Sequence, residues 1–216
     1  MSIAVDMRVF SDANAQAEAL AAAVGTCLRA AIAARGGAWL AVPGGVTPRK
    51  FLGMLAQQKL DWARVSVTLT DERCVAADDA RSNEGMLRQV LIAPTQARFA
   101  PLQSAVPRPF DAVVLGMGAD GHCASLFVDG DNIATALRAD APESTMPMRS
   151  PSVPEARVTL TLAALVHTRG LFVLIRGEEK RRTLESALRG AEPLTHAPIR
   201  AVLENAPVAP QIYWCP

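Results

Sequence analysis

Short apolar stretches alternate with longer helix-favouring stretches along most of the chain. Runs of about four to six apolar or β-branched residues indicate buried strands, and stretches rich in Ala, Leu, Glu and Arg favour helices. Strands that alternate with helices predict an α/β fold, with a mostly parallel open sheet flanked by helices on both faces. The predicted strands are residues 7–10, 38–42, 65–70, 112–115, 158–162, 171–175 and 211–214.

Capping residues and glycines bound the predicted helices. Ser11 or Asp12 is a good N-cap for the first helix, Thr47 for the second and Ser82 for the third. The predicted helices are residues 13–34, 48–58, 82–92, 123–127, 133–138 and 178–188. Residues 71–81 are predicted as a loop, and so are residues 128–156 outside the helix at 133–138. No internal repeat or linker interrupts the pattern, so we expect a single domain over residues 1–216.

Composition narrows the range of functions. Half of the residues are hydrophobic and a fifth are charged, which excludes a disordered chain. The 22 Lys and Arg residues face 21 Asp and Glu residues, so no overall basic field attracts nucleic acid. Unbroken apolar runs fall short of the roughly 20 residues of a membrane span. The four cysteines lack CxxC and zinc spacing, and we expect reduced thiols in a cytoplasmic protein.

Glycines and charged residues follow three of the predicted strands. Ligands of open α/β sheets bind beyond the carboxyl ends of the strands, so we expect these three loops to meet. The first loop, GGVTP at 44–48, lets the backbone approach a phosphate at a helix N-terminus. An ordinary strand-to-helix turn explains the same residues. The loop is not a P-loop, because the Gly-Lys-Ser/Thr ending is absent.

The other two loops carry ionisable side chains. TDER at 70–73 places Arg73 where its planar guanidinium suits a phosphate, although a solvated ion pair is the alternative. LGMGADGH at 115–122 contains GxGxxG, but no second strand ending in an acidic residue follows as a dinucleotide site requires. The turn instead presents His122 as a general base, with a structural histidine as the alternative.

Two further cations are candidates. Lys180 lies in the first turn of a predicted helix, where a positive charge opposes the helix dipole. This small cost points to a ligand, although Glu178 and Glu179 in the same turn could compensate for it. Arg157 precedes a predicted strand, and a solvated strand end explains it equally well.

Together these motifs resemble 6-phosphogluconolactonases. The matching segments follow the order of that family and cover most of the chain: GG-x-TP at 44–48, DER-x-V at 71–75 with SN at 82–83, LGMG-x-DGH-x-ASLF at 115–127, RVTLT at 157–161 and G-x-x-K at 177–180. The resemblance implies the Rossmann-like fold of sugar-phosphate isomerases. It also implies hydrolysis of 6-phospho-D-glucono-1,5-lactone to 6-phospho-D-gluconate in the oxidative branch of the pentose phosphate pathway, with no metal and no organic cofactor.

The resemblance also implies roles for individual residues. His122 is similar to the general base that activates water, and Asp120 to the residue that supports it. The residues similar to the phosphate-binding set are Gly44, Gly45, Thr47, Arg73 and Lys180. The remaining substrate-binding candidates are Asp71, Asn83 and Arg157.

Three positions depart from the pattern of the family. Val46 stands where a small hydroxyl residue is frequent, which removes one expected hydrogen bond to phosphate. Cys123 replaces a frequent Thr, and Val128-Asp129 replaces a frequent Pro-Gly. The last two changes affect the expected geometry of the loop and leave the base in place.

Two other functions stay open. A glucosamine-6-phosphate isomerase or deaminase shares the fold, but it usually has an aromatic residue at the position of Arg73 and a different continuation after Ala124. A non-catalytic sugar-phosphate sensor would need an output domain, and the segment before Gly44 has little basic character. The expected partner is a small sugar-phosphate lactone, with no nucleic acid and no membrane, and we expect a monomer or a homodimer.

Overall fold

The computed structural model describes residues 3–102 and 109–216, and these residues form ten strands and eight α-helices. The strands are β1 (Asp6–Val9), β2 (Ala38–Val42), β3 (Val65–Leu69), β4 (Asp71–Arg73), β5 (Arg98–Phe99), β6 (Ala112–Leu115), β7 (Thr145–Met148), β8 (Arg157–Leu160), β9 (Leu171–Arg176) and β10 (Gln211–Cys215). The helices are α1 (Ala13–Arg35), α2 (Val46–Ala56), α3 (Asn83–Leu87), α4 (Ala93–Thr95), α5 (Ile133–Ala136), α6 (Leu162–Val166), α7 (Glu178–Arg189) and α8 (Pro198–Asn205).

Seven strands form one parallel sheet in the order β1-β10-β9-β6-β2-β3-β5. The predicted α/β fold with a mostly parallel sheet is therefore confirmed. Six strands of this sheet lie within one residue of their predicted bounds, and the two-residue β5 was not predicted. The chain runs outward from β2 to β3 and β5, then returns to place β6 on the other side of β2. The sheet therefore has its topological switch point between β2 and β6.

A second, antiparallel sheet has the order β4-β8-β7. The loop predictions for 71–81 and 128–156 are wrong where β4 and β7 lie, and the predicted strand 158–162 begins and ends earlier, as Arg157–Leu160. β4 consists of three charged residues, and β7 is an edge strand that contains Pro147. Neither strand shows the apolar alternation that identifies a strand in a sequence.

The caps and bounds of the helices agree only in part with the predictions. Asp12 caps α1 by accepting the backbone N–H of Asn14 at 2.7 Å, and Ser82 caps α3. α2 begins at Val46 with Gly45 as its N-cap, so the prediction that Thr47 caps it is wrong. Residues 123–127 form a turn closed by an isolated bridge and not the predicted helix. The short helices α6 and α8 were not predicted.

Helices cover both faces of the central strands of the parallel sheet, and successive strand residues point to opposite faces. The odd-numbered residues of β9, from Leu171 to Ile175, join an apolar cluster that includes side chains of α6, α7 and α8. Phe172 and Leu174, the even-numbered residues, join a second cluster that includes side chains of α1, α2 and α3. Helices on both faces leave the carboxyl ends of the strands open, and the site lies there.

Among the described residues one helix, α1, is long and apolar enough to cross a membrane, with 23 residues and a hydropathy of 1.4. Polar residues such as Gln16 and Glu18 interrupt this Ala-rich helix, so it contains no unbroken apolar run of that length. One face of α1 packs against the sheet. On that face the fully buried Gln16 donates its Nε2 to the backbone oxygens of Ile175 at 2.8 Å and Tyr213 at 2.9 Å. These contacts are those of a core helix in a folded domain.

Candidate active site

A cleft of about 310 Å³ lies at the carboxyl end of the parallel sheet. The loops that follow β2, β3 and β6 all contribute to it, as expected for a site at the switch point. Of the ten residues predicted for the site, eight line this cleft: Gly44, Gly45, Thr47, Asp71, Arg73, Asn83, His122 and Lys180. The other two do not line it: Asp120 contacts the His122 ring through its carboxylate, and Arg157 is buried opposite Arg73 in the small sheet.

The first turn of α2 presents free backbone N–H groups at the cleft. Gly45 is the N-cap, with φ 92° and ψ −174°, and no side chain caps the helix. That positive φ favours glycine. Gly44 is needed for space, because a Cβ there would lie 1.8 Å from Oδ1 of Asn83. Uncapped N–H groups at the positive end of a helix dipole suit a phosphate.

Asp120 orients the His122 side chain. Oδ1 of Asp120 lies 2.6 Å from Nδ1 of His122 and also accepts the backbone N–H of His122 at 3.2 Å. Because an ionised carboxylate only accepts hydrogen bonds, this contact assigns the proton to Nδ1 and leaves the lone pair on Nε2. No described residue bonds to Nε2. The Phe127 ring packs 4.7 Å from the imidazole, so His122 is oriented on two sides.

The loop that carries His122 is fixed by its neighbours. A Cβ at Gly118 would lie 2.3 Å from atoms of the imidazole, so the ring lies directly on this glycine. Thr183 of α7 donates its hydroxyl to the Ala119 oxygen at 2.9 Å and ties the loop to that helix. Cys123 follows His122 in the chain, so a Cys–His nucleophilic pair is conceivable there. Cys123 is fully buried, however, and burial raises the pKa of its thiol, which excludes it as a nucleophile.

Lys180 reaches the cleft from the first turn of α7. The N-cap of this helix is Gly177, with φ 83°, and no side chain caps it. No carboxylate in the described part of the chain forms an ion pair with Lys180. A cation and uncapped N–H groups therefore face the cleft from one helix terminus, which favours an anionic ligand.

The segment after β3 links the loops to one another. Asp71 accepts hydrogen bonds from the hydroxyls of Ser125 at 2.6 Å and Thr70 at 3.2 Å. Its loss of solvent raises the pKa of the carboxyl. Asn83 donates its Nδ2 to the backbone oxygen of Asp71 at 2.9 Å and packs against Gly44. These contacts hold the three loops in one arrangement.

Glu72 has a structural role. Its two carboxylate oxygens accept the backbone N–H groups of Arg73, Asn83 and Glu84 at 2.6 to 2.9 Å. The side chain therefore stabilises the start of α3 and is not available as a base. Arg73 points into the cleft, and its Nη1 donates to the Arg81 backbone oxygen.

Sequence reasoning missed several residues that shape the site. Met117, Ala124 and Leu174 line the cleft, but the first two appeared only within the motif at 115–127 and Leu174 only within a predicted strand, none with a role in the site. Ser125 lies inside the motif at 115–127, but its bond to Asp71 joins residues 54 positions apart, and no local pattern predicts such a bond. Thr183 carried no signal other than its position one helical turn after Lys180.

The departures from the family pattern lie at and below the cleft. Val46 lines it with 86% of its surface exposed, so an apolar side chain borders the free N–H groups of α2. Val128 is 56% exposed just after the histidine loop. Cys123 is in the core.

Comparisons with known proteins agree with this geometry. Residues 11–108 and 98–214 match the family model described as glucosamine-6-phosphate isomerases/6-phosphogluconolactonase. The chain is 39% identical to the 6-phosphogluconolactonase of Rhizobium meliloti (strain 1021), covering 99% of this chain and 100% of that protein. It is 40% identical to the 6-phosphogluconolactonase of Mesorhizobium japonicum, covering 96% and 94%. The crystal structure of a 6-phosphogluconolactonase from Shewanella baltica OS155 matches with a TM-score of 0.91, 32% identity and full coverage of both chains.

The fold and the cleft define an α/β protein whose site lies at the switch point of a parallel sheet, with an oriented histidine and a lysine that no described carboxylate pairs. The chain belongs to the family of glucosamine-6-phosphate isomerases and 6-phosphogluconolactonases. The resemblance drawn from the sequence motifs is confirmed.

Proposed function

We propose that this protein hydrolyses 6-phospho-D-glucono-1,5-lactone to 6-phospho-D-gluconate in the oxidative branch of the pentose phosphate pathway. Relatives that are 39% and 40% identical over nearly the whole chain are 6-phosphogluconolactonases. The observation that carries the proposal is one cleft in which Nε2 of His122 is free to accept a proton while Lys180 and the α2 terminus offer positive charge. A proton acceptor beside an anion site suits a phosphorylated ester.

In the proposed mechanism His122 acts as a general base. Nε2 takes a proton from water, and the oxygen of that water attacks the lactone carbonyl carbon, C1. The tetrahedral intermediate then collapses, the bond between C1 and the ring oxygen breaks, and the imidazolium returns its proton to the departing oxygen. Asp120 holds the ring so that Nε2 points away from its own loop, and it stabilises the imidazolium that forms.

The phosphate lies far from C1 and supplies binding energy that positions the sugar. We assign it to the N–H groups after Gly44 and Gly45, the Thr47 hydroxyl, and the side chains of Arg73 and Lys180. We assign the sugar hydroxyls to Asp71 and Asn83, which lie between the α2 loop and the histidine loop. The Asp71 carboxylate retains lone pairs for this purpose beyond its two hydroxyl contacts.

The proposed chemistry uses only side chains and backbone groups of this chain. The four cysteines are free thiols, which supports the cytoplasmic location that we propose. A monomer or a homodimer stays our prediction, and so does a single functional domain over residues 1–216.

The direct test is an assay on freshly prepared 6-phospho-D-glucono-1,5-lactone that follows acid release. We expect a rate well above the spontaneous hydrolysis, which must be subtracted at each pH. A protein without this activity that releases ammonia from glucosamine 6-phosphate would be a deaminase. Binding of 6-phosphogluconate without turnover of either substrate would indicate a sensor, and both results would refute the proposed function.

A further inference from the structure

Thr183 uses its hydroxyl outside its own helix. The residue lies in the middle of α7, is 9% exposed, and donates its hydroxyl to the backbone oxygen of Ala119 at 2.9 Å. A threonine within a helix commonly turns its hydroxyl back to a carbonyl of the preceding turn. This hydroxyl instead joins α7 to the loop that carries His122, 64 residues away in the chain.

The loop that accepts this bond is a closed turn. The Gly118 N–H donates to the His122 oxygen at 2.9 Å, and the Gly121 N–H donates to the Gly118 oxygen at 3.2 Å. The contact between Asp120 and the imidazole lies within the same turn. Because these bonds are internal, the turn holds its own shape and the orientation of the His122 ring.

Within the described residues, two hydrogen bonds attach this turn to neighbouring helices. One is the bond from Thr183 of α7 to Ala119, and the other joins the Ile199 N–H of α8 to the Gly121 oxygen at 3.1 Å. The Ile199 bond comes from the backbone, whereas the Thr183 bond depends on one hydroxyl group. Without that hydroxyl the turn would keep a single attachment and could pivot about it.

The start of α7 has a defined position on the parallel sheet. Its N-cap, Gly177, donates its N–H to the Cys215 oxygen at 2.9 Å and accepts Nε1 of Trp214 at 3.0 Å. Both partners belong to β10, so the helix begins at a fixed point of the sheet. Lys180 and Thr183 are three residues apart and lie on one side of α7. The cation of the cleft and the loop of the base are therefore attached to one short helical segment.

We propose that Thr183 is a positioning residue that sets the distance between His122 and the start of α7. This inference rests on the proposed function, in which the phosphate is bound near Lys180 while water attacks C1 at the other end of the sugar. An anchored phosphate aids the reaction only when the base is held at the matching distance, because misplacement by about 1 Å can cost roughly 100-fold in rate. The Thr183 hydroxyl provides this match through one bond between helix and loop.

The test compares variants of Thr183 with the wild-type protein in the lactone assay. Thr183→Val keeps the shape of the side chain without the hydroxyl, and we expect kcat to fall by roughly 10- to 100-fold with a much smaller change in KM. Thr183→Ala, a second variant without the hydroxyl, should behave in the same way. Thr183→Ser keeps the hydroxyl and should restore most of kcat.

Ser186→Ala is the matched control. It removes a hydroxyl from the same helix, and that hydroxyl contacts Arg189 and not the loop. Its kcat should therefore equal that of the wild type. A wild-type kcat in Thr183→Val, or a serine variant as slow as the valine variant, would overturn the proposal.

A double-mutant cycle with Lys180→Met tests the link itself. Once Lys180 is absent, the phosphate is held less firmly at α7, so the distance from this helix to the base matters less. The combined loss in kcat/KM for Thr183→Val and Lys180→Met should therefore be smaller than the product of the two single losses. Losses that multiply would show that Thr183 acts independently of the anion site and would overturn the proposal.

Backbone hydrogen exchange separates this test from the proposed function, because it needs no turnover. The Gly118 amide should exchange faster in Thr183→Val than in the wild type or in Ser186→Ala. Absent lactone turnover in the wild-type protein would refute the proposed function. Unchanged exchange at Gly118 would refute the role of Thr183 in holding the loop, whatever the activity of the wild type.

Discussion

The two ends of the parallel sheet carry their charged side chains in different ways. At the amino end, a cavity of about 340 Å³ is bordered by several arginines around Asp111, whose side chain is 7% exposed. Oδ1 of Asp111 lies 2.5 Å from Nη2 of Arg35 and 3.5 Å from Nε of Arg169, and Oδ2 accepts the backbone N–H of Trp39 at 2.8 Å. This carboxylate joins the end of α1, the start of β2 and the turn before β9.

At the carboxyl end, Lys180 has no acidic partner among the described residues, and the first turn of α2 has no side-chain cap. Glycines occupy the positions where a side chain would fill this space. The difference shows two uses of charge in one fold. Charge that is neutralised within the protein holds elements together, and charge that is left without a partner is available for a ligand. Substitutions of charged residues at the amino end should therefore change stability, and substitutions at the carboxyl end should change activity.

The largest effect is expected for His122→Asn. Asparagine keeps a polar side chain but cannot accept a proton near neutral pH, so kcat on the lactone should fall by roughly 10²–10⁴-fold. The affinity for 6-phosphogluconate should change little, because the assigned phosphate contacts lie elsewhere. Kinetic assays together with calorimetry measure both quantities.

The result for His122→Asn has clear alternatives. A near wild-type kcat would make His122 structural and leave Asp120 as the next candidate base. Loss of 6-phosphogluconate affinity together with kcat would indicate that the loop from Gly116 to His122 had collapsed. A double variant with Asp120→Asn should add little to the single variant, because the two side chains act as one unit.

The second largest effect is expected for Lys180→Met, which removes the unpaired cation. Loss of a charge-assisted contact to phosphate costs about 1.5–3 kcal/mol, so KM should rise roughly 10- to 150-fold. kcat should be less affected, because the ammonium does not touch C1 in the proposed mechanism. Lys59→Met is the control, since Lys59 is an exposed lysine that does not line the cleft. Equal KM values for the two variants would remove Lys180 from the phosphate site.

How much the sequence predicts differs between the two sheets. The parallel strands were predicted because residues such as 112–115 and 171–175 are apolar on both faces, and this pattern is local. The small sheet depends on pairing between residues far apart, such as Asp71 with Thr159 and Met148 with Arg157. Its strands are short and polar, so local propensity does not identify them.

The same difference between local patterns and long-range contacts applies to the site. Strand ends predicted which loops meet, and eight of the ten candidate residues line one cleft. The contacts between those loops could not be predicted, because the bonds of Ser125 to Asp71 and Thr183 to Ala119 span 54 and 64 positions. The Nε and Nη1 atoms of the buried Arg157 have no hydrogen-bond partner among the described residues, and this became visible only once β4 and β8 were paired. A cation in a sequence does not show whether the fold will neutralise it.

The smallest effect on catalysis is expected for Asp111, at the opposite end of the sheet. Asp111→Ala removes the acceptor of the Trp39 N–H group and the partner of Arg35, so the free energy of unfolding should fall by about 1–3 kcal/mol. Asp111→Asn separates the two contributions, because its amide oxygen still accepts that N–H group while the ion pairs are lost. Its stability should be closer to wild type, since the arginines that pair with Asp111 are partly exposed and such pairs contribute little. Urea denaturation measures both variants, and kcat and KM below the melting transition should match wild type. A change of KM in Asp111→Asn without a change in stability would show that the two ends are coupled, and the comparison between them would fail.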